Sequence, residues 1–222
     1  MSNQHTEQRG IPLEKFSNLP VEKQNRIIDA ALTVFGACGY RKASINDIAA
    51  AAGVSKATIF HYFGTKKALY LYLVDLCGGI MMKELDEKFD RTVTDFFDRI
   101  LMSANIEISV MERHPAIPAF LARMYFETDD EVKSEIAEIL ARGEAYRHQI
   151  ALEGIESAKF KAGINPNLVM KMLTWMADGF AHQMSNGKDV DLEVIRHDFY
   201  ECMSLLKTHF YKEEYIPHRE GE

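Results

Sequence analysis

Three cysteines, six prolines and a single tryptophan are all that the 222 residues contain of those types. Cys38, Cys77 and Cys202 are odd in number, far apart and free of any CxxC or histidine-paired spacing, which argues against a disulfide framework and against a zinc site. Such usage suits a reducing compartment. With so little proline and only thirteen glycines, no low-complexity tract forms. The first sixteen residues lack the apolar core of a secretory signal, and no apolar run approaches the ~18 residues a membrane span requires. The expectation is a cytoplasmic chain with no membrane segment. Catalytic patterns are missing too: there is no P-loop, no nucleophile–base spacing and no framed carboxylate pair, so neither a catalytic residue nor a cofactor is expected.

What is present is an ordinary globular composition, 47% hydrophobic and 27% charged, enough for one large domain or two small ones. The net charge of −7 is unevenly spread. Between Lys15 and Tyr70 eight cations face three anions, so this stretch carries +5 within an acidic chain. A basic head on an acidic body fits a protein of which one part meets a polyanion, although a chance cluster on a solvated face has the same arithmetic.

Apolar spacing is helical throughout and no segment sustains period-two alternation, so the fold class is all-α. Residues 1–18 read as a flexible arm with a short turn near Pro12–Phe16. A first helix begins around Leu19–Pro20, carries Ile27, Ile28, Ala31, Leu32 and Phe35, and ends at Gly39. Ser44-Ile-Asn-Asp47 resembles a capping box opening a short second helix. Gly53 supplies a positive-φ break, and Ser55 caps a third helix from Lys56 to about Tyr62. Thr65 caps a long fourth helix, and five more follow over 92–112, 115–127, 129–161, 166–185 and 192–211. The resulting division is an arm at 1–18, a three-helix head at 19–64 and a larger helical bundle at 65–222.

Two short helices around a glycine elbow form a helix-turn-helix, whose second helix enters the DNA major groove. Ser55, Lys56, Thr58, His61 and Tyr62 crowd a helix too short to contribute much core. Lys56 suits guanine O6 and N7 or a phosphate, while Thr58 and the Ala57 methyl suit thymine or a phosphate oxygen. Tyr62, Lys66 and the capped helix starts suit phosphate positioning. For His61 and Tyr62 a plain surface or core role stands beside the DNA role.

The stretch RIIDAALTVFGACGYRKASINDIAAAAGVSKATIFHYFGTKKALY resembles the DNA-binding head of the TetR family of bacterial transcriptional regulators. The shared landmarks are the Phe…Gly-Tyr helix end, Ser-Ile-x-x-Ile-Ala, Ala-Gly-Val-Ser, Thr-Ile-Phe-x-Tyr-Phe and Lys-Lys-x-Leu, across roughly residues 20–75. The resemblance implies that Ser44 caps its helix and touches phosphate and that Asn46 takes a base-contact position. It places Lys56, Ala57, Thr58 and His61 on the recognition helix, with Tyr62 and Lys66 clasping the backbone. Phe60 stands where family members often carry Tyr, so an apolar contact replaces a hydroxyl–phosphate bond. Ala57 replaces the common Gly or Pro, which leaves base preference open.

For the body, the resemblance implies a homodimer on a palindromic double-stranded operator, through the last two long helices. Leu168, Met172, Trp175, Met176, Gly179 and Phe180 line one stripe; Ile195, Phe199, Cys202, Met203, Leu206 and Phe210 line the other. A small-molecule pocket is the further implication. Its candidate lining is Phe97, Met102, Met111, Phe120, Met124, Tyr125, Tyr146, Trp175 and Asp178, with Glu107 and His182 as added orienting groups. These side chains equally suit a simple core. The expected function is a ligand-released repressor. Two rivals stay open: an all-helical carrier or enzyme with an incidental helix-turn-helix, and a ligand-independent architectural DNA-binding protein.

Overall fold

The computed structural model describes residues 13–185 and 192–216. Within them the chain is helical: α1 (Leu13–Ser17), α2 (Val21–Lys42), α3 (Ile45–Ala52), α4 (Lys56–Phe63), α5 (Lys66–Lys88), α6 (Phe96–Arg113), α7 (Ala116–Tyr125), α8 (Lys133–Leu152), α9 (Pro166–Ser185) and α10 (Leu192–Phe210). Among the described residues the β-structure is a single antiparallel bridge between Phe160 and Tyr211.

Side-chain caps set the helix starts. Ser55 Oγ accepts from the Thr58 N–H at 3.0 Å, Thr65 Oγ1 from Ala68 at 3.0 Å, and Asp95 Oδ1 from Asp98 at 3.2 Å. Gly53, at φ 65° and ψ 38°, closes α3 in the left-handed conformation that the elbow demands.

Several boundaries differ from the sequence reading. Residues 13–17, assigned to the arm, form α1, whose Phe16 is buried against Tyr62, Phe63 and Tyr72. One aromatic anchor thus orders a segment without apolar periodicity. Gly39 kinks α2 at φ 74° rather than ending it, and a further turn runs to Lys42. The sixth helix starts at Phe96 rather than 92, because Asp90 holds the Thr92 N–H and hydroxyl in a turn. The eighth spans Lys133–Leu152 rather than 129–161; its entry is a turn closed on Asp129, and Gly154 lies beyond its end at φ 77°.

Three apolar cores hold the fold. The first joins the head to the body: Ile27, Phe35, Ile48, Ile59, Phe63, Leu69 and Tyr70 pack with Ile117, Phe120, Met124, Val132 and Ile136. Gly36 permits the closest approach, because a Cβ there would lie 2.9 Å from the Phe120 backbone nitrogen. Head and body therefore share one interior, and the division expected near 64 crosses it. The second core centres on Phe96, Phe97, Phe160 and Tyr211, and the third on Leu85, Phe89, Ile106 and Ile150. Buried Arg99 ties α6 to α8, with Nε donating to the Ile150 carbonyl at 2.9 Å and the guanidinium 4.9 Å from the Phe89 ring.

Candidate nucleic-acid interface

The helix-turn-helix is α3, the Gly53–Ser55 elbow and α4. Its inner side is sealed by Ile45, Ile48, Ala49, Ala52, Ile59 and Phe63. Two buried anchors on an eight-residue helix leave the rest of α4 outside: Ser55, Lys56, Ala57, Phe60 and His61 are exposed, and Thr58 and Tyr62 are half-buried. The polar side of α4 is uncovered.

The exposed groups are oriented. Ser55 Oγ lies 2.8 Å from Thr58 Oγ1, so the cap also fixes the threonine hydroxyl. Lys56 Nζ sits 5.8 Å from the centre of the Phe60 ring one turn later, placing a cation beside an apolar surface 38% exposed. His61 and Tyr62 meet edge to face at 5.0 Å. Tyr62 also packs on Phe16 at 5.8 Å, which assigns part of its ring to support of α4. At the start of α3, Ser44 Oγ accepts from the Asn46 N–H at 3.1 Å and the Asn46 side chain is exposed. The backbone N–H groups at both helix starts are the positive ends of their dipoles, a natural seat for phosphate oxygens.

Lys66 is placed differently from the phosphate clasp expected of it. Its ammonium donates to the carbonyls of Tyr40 at 3.0 Å and Ala43 at 3.4 Å. Lys66 thereby satisfies the frayed C-terminal end of α2. Arg41 and Lys42, in the last turn of α2, are the exposed cations on that side, and charge was the one signal that could have singled them out. Sequence reasoning also missed Glu127 and Glu131, which grip Tyr40 from the body; nothing in an acidic loop announces such a partner. That loop and Tyr40, Arg41 and Lys66 border an open cleft of about 450 Å³ at the head–body joint.

The body candidates separate into groups. Phe97, Phe120 and Met124 are sealed in the cores and leave the pocket list, since aromatic rings and neighbouring helices close over them. Met102 and Tyr146 pack at the edge of the third core, where Tyr146 donates to Asp86. Met111 stays half-buried, and the Tyr125 hydroxyl donates to Asp178 Oδ1 at 2.5 Å, with its pKa pushed up to about 12 by burial and then by that carboxylate. Glu107 lies near Arg147; loss of solvent raises its carboxyl pKa and the Arg147 charge opposes that rise.

Among the interface candidates, Leu168 and Gly179 are exposed and Met172 and Phe180 half-buried, whereas Met203 is 1% exposed and belongs to the second core. Met176, Phe199, Leu206 and Phe210 pack partly against that same core. Trp175 faces outward at 57% exposure, on the stripe with Leu168 and Gly179 and not in a pocket. Val194 and Leu205 are outward apolar residues of α10 that the stripe omitted.

An exposed, capped recognition helix on a basic head defines a helix-turn-helix DNA-binding regulator. Residues 27–73 match the family model described as bacterial regulatory proteins, tetR family. The Bacillus subtilis (strain 168) fatty acid metabolism regulator protein is 27% identical over 152 residues, 68% of this chain and 77% of the relative. The Staphylococcus aureus (strain Newman) biofilm operon icaADBC HTH-type negative transcriptional regulator IcaR is 35% identical over 54 residues, 24% of this chain and 29% of that one. A TetR family regulator structure from Chloroflexus aurantiacus J-10-fl superposes with a TM-score of 0.71 at 21% identity, covering 91% of this chain and 100% of the other. The Bacillus subtilis transcriptional regulator FadR in complex with stearoyl-CoA gives 0.63 at 22% identity, covering 81% and 96%. Among the described residues no helix is long and apolar enough to cross a membrane.

Proposed function

We propose that this regulator is a cytoplasmic homodimeric repressor, without enzymatic activity, that holds a palindromic operator and leaves it when a small molecule enters the body. The observation carrying the DNA half is the outer side of α4, where Lys56, Ala57, Phe60 and His61 stand free of the core. Lys56 reads a purine edge or phosphate, Ala57 and Phe60 present apolar surface to thymine methyls, and Ser44 with the helix starts positions the backbone. The apolar outer stripe of α9 and α10 supports the dimer, because two heads must sit on half-sites about 34 Å or a multiple apart.

The effector space we place around the middle of α6. Successive residues 101–104 and 107–109 there retain partial exposure although the helix is flanked by α5 and α8. Glu107 faces this region, with Met111 one turn on, and Tyr125 and Asp178 reach across from α7 to α9. The relative named for fatty acid metabolism makes a long-chain acyl thioester the first effector to test.

Selection of bound fragments from the host genome, followed by gel shifts on the recovered operator with added stearoyl-CoA, tests the whole reading. Binding should weaken steeply with salt and fall further with the thioester. A protein that retains no duplex even at low salt is not this regulator, and one that stays bound at every thioester concentration has another effector class.

A further inference from the structure

Phe16 is 1% exposed although α1 has only five residues, and it precedes the stretch 27–73 that matches the family model. Its ring meets Phe63 at 4.8 Å, Tyr62 at 5.8 Å and Tyr72 at 5.7 Å, the last two edge to face. Tyr62 in turn meets His61 edge to face at 5.0 Å. A row of rings thus runs from Tyr72 on α5, through Phe16 on α1, to Tyr62 and the exposed His61 on α4. Edge-to-face pairs are directional, so each ring in such a row limits how its neighbour can turn.

α1 is itself held from behind. Gln24 of α2 donates through Nε2 to the carbonyls of Ser17 at 3.1 Å and Leu19 at 2.8 Å, and the Leu19 N–H donates to the Phe16 carbonyl at 3.0 Å. The place it braces is a weak one. α4 is eight residues long, and its last turn, carrying Tyr62 and Phe63, runs straight into Gly64 at φ 70°. Short helices are marginal by themselves and their ends fray, so the direction of a side chain in that turn depends on what packs there. Among the described residues the Tyr62 hydroxyl makes no hydrogen bond, and the ring that fixes it from the buried side is Phe16. We infer that Phe16 is a positioning residue for operator binding: it holds the Tyr62 ring so that the hydroxyl donates to a phosphate oxygen of the duplex. A hydrogen bond to a charged oxygen needs its donor aimed, and a ring free to turn gives most of that bond up. The role requires that the head bind duplex DNA and is independent of any effector.

The test is a double-mutant cycle on the full-length protein, with duplexes selected from a random pool and affinities read by fluorescence anisotropy below the melting range of every variant. Tyr62→Phe, which removes only the hydroxyl, should weaken binding about tenfold in the parent. Phe16→Ala should cost about tenfold by itself, and adding Tyr62→Phe to it should cost less than about twofold more, because the hydroxyl is no longer aimed. Log-salt slopes should match throughout, since no cation leaves the interface. Phe16→Leu, which retains most of the apolar volume, should lie within about threefold of the parent. It replaces Phe16→Ala in the cycle if that protein unfolds, and Tyr62→Phe should then cost about threefold rather than about tenfold. Additive losses, with the hydroxyl worth as much in the Phe16 variants as in the parent, overturn the assignment and leave Phe16 a core residue. So does a Tyr62→Phe protein that binds like the parent, or a shallower salt slope in the Phe16 variant, which would mean that the whole head is displaced. A parent that selects no duplex even at low salt overturns the regulator reading as well.

Discussion

Lys66 meets Tyr40 twice: Nζ donates to the Tyr40 carbonyl at 3.0 Å and lies 4.3 Å from the centre of the Tyr40 ring. The Tyr40 N–H in turn donates to Glu127 Oε2 at 2.8 Å and its hydroxyl to Glu131, so one buried tyrosine links α5, the end of α2 and the α7–α8 loop. Burial and then the Glu131 carboxylate raise the Tyr40 pKa, which keeps that hydroxyl a donor throughout the physiological range.

Lys66 and Lys56 should therefore fail in different ways. Lys66→Met is expected to cost about 2 kcal/mol of folding stability by leaving the α2 carbonyls short of a donor, with the salt slope of operator binding unchanged. Lys56→Ala should leave stability within about 0.5 kcal/mol but cost about 1–3 kcal/mol of operator affinity and alter base preference. Denaturant titrations and salt-dependent gel shifts separate the two; a slope reduced by about one in Lys66→Met returns that residue to the phosphate contacts.

The contrast between these lysines marks what was legible in the sequence. Helix existence, the elbow at Gly53 and the caps Ser55 and Thr65 were readable because each is a local transaction between a side chain and its own backbone. So was the exposure of Lys56, since an eight-residue helix anchored by Ile59 and Phe63 has no room to bury more. Phe16, Lys66 and Glu131 were misread or missed because their partners lie 47, 26 and 91 positions away. Met203 and Trp175 show the same limit on helix faces: periodicity finds an apolar stripe but not which edge of it a neighbour covers.

Glu135 ties acid stability to the head–body joint. Its carboxyl pKa falls from 4.5 to about 2, chiefly through the hydrogen bond from Lys67. A pKa depressed on folding contributes stability that is complete above the unfolded value and is lost as pH falls through the folded one, here from about 4.5 to about 2. Glu135→Gln should flatten the stability–pH curve over that window, relative to the parent, in urea titrations at stepped pH. Curves that stay parallel there mean the Lys67 contact does not hold in solution.

Glu107 carries the reverse sign. Burial raises its carboxyl pKa, so folding favours the protonated form and stability declines as pH rises from the ordinary carboxylate range through the folded value. Glu107→Gln, which keeps the shape and never ionises, should be more stable than the parent at pH 8 and lose that advantage at pH 4. Thermal melts across this range are the check, and an advantage independent of pH would assign the gain to something other than the charge.

Gly36→Ala probes the weld between α2 and α7. The added methyl would stand 2.9 Å from the Phe120 nitrogen and 3.1 Å from the Ala119 carbonyl carbon, neither of which is a flexible side-chain end. The gain in helix propensity, about 1 kcal/mol, is smaller than the overpacking cost, so a net loss of about 1–2 kcal/mol is expected in denaturant titration. A variant as stable as the parent would show that α7 shifts easily on α2.

Trp175 is the single tryptophan of the chain and is 57% exposed on α9, with the Lys171 ammonium 5.3 Å from its ring centre. A large aromatic left that open, in line with Leu168 and on a chain whose α10 also turns Leu205 and Val194 outward, is costly for a lone chain and ordinary for a buried interface. Its fluorescence therefore reports assembly without labelling: emission should shift to the red on dilution as subunits separate. Trp175→Glu places a charge in that interface and should yield a folded monomer by sedimentation. Operator affinity should then fall by about 100-fold or more, since each head grips only one half-site once the second is no longer held nearby. A Trp175→Glu protein that remains dimeric and binds its operator as the parent does would move the subunit interface off this face altogether.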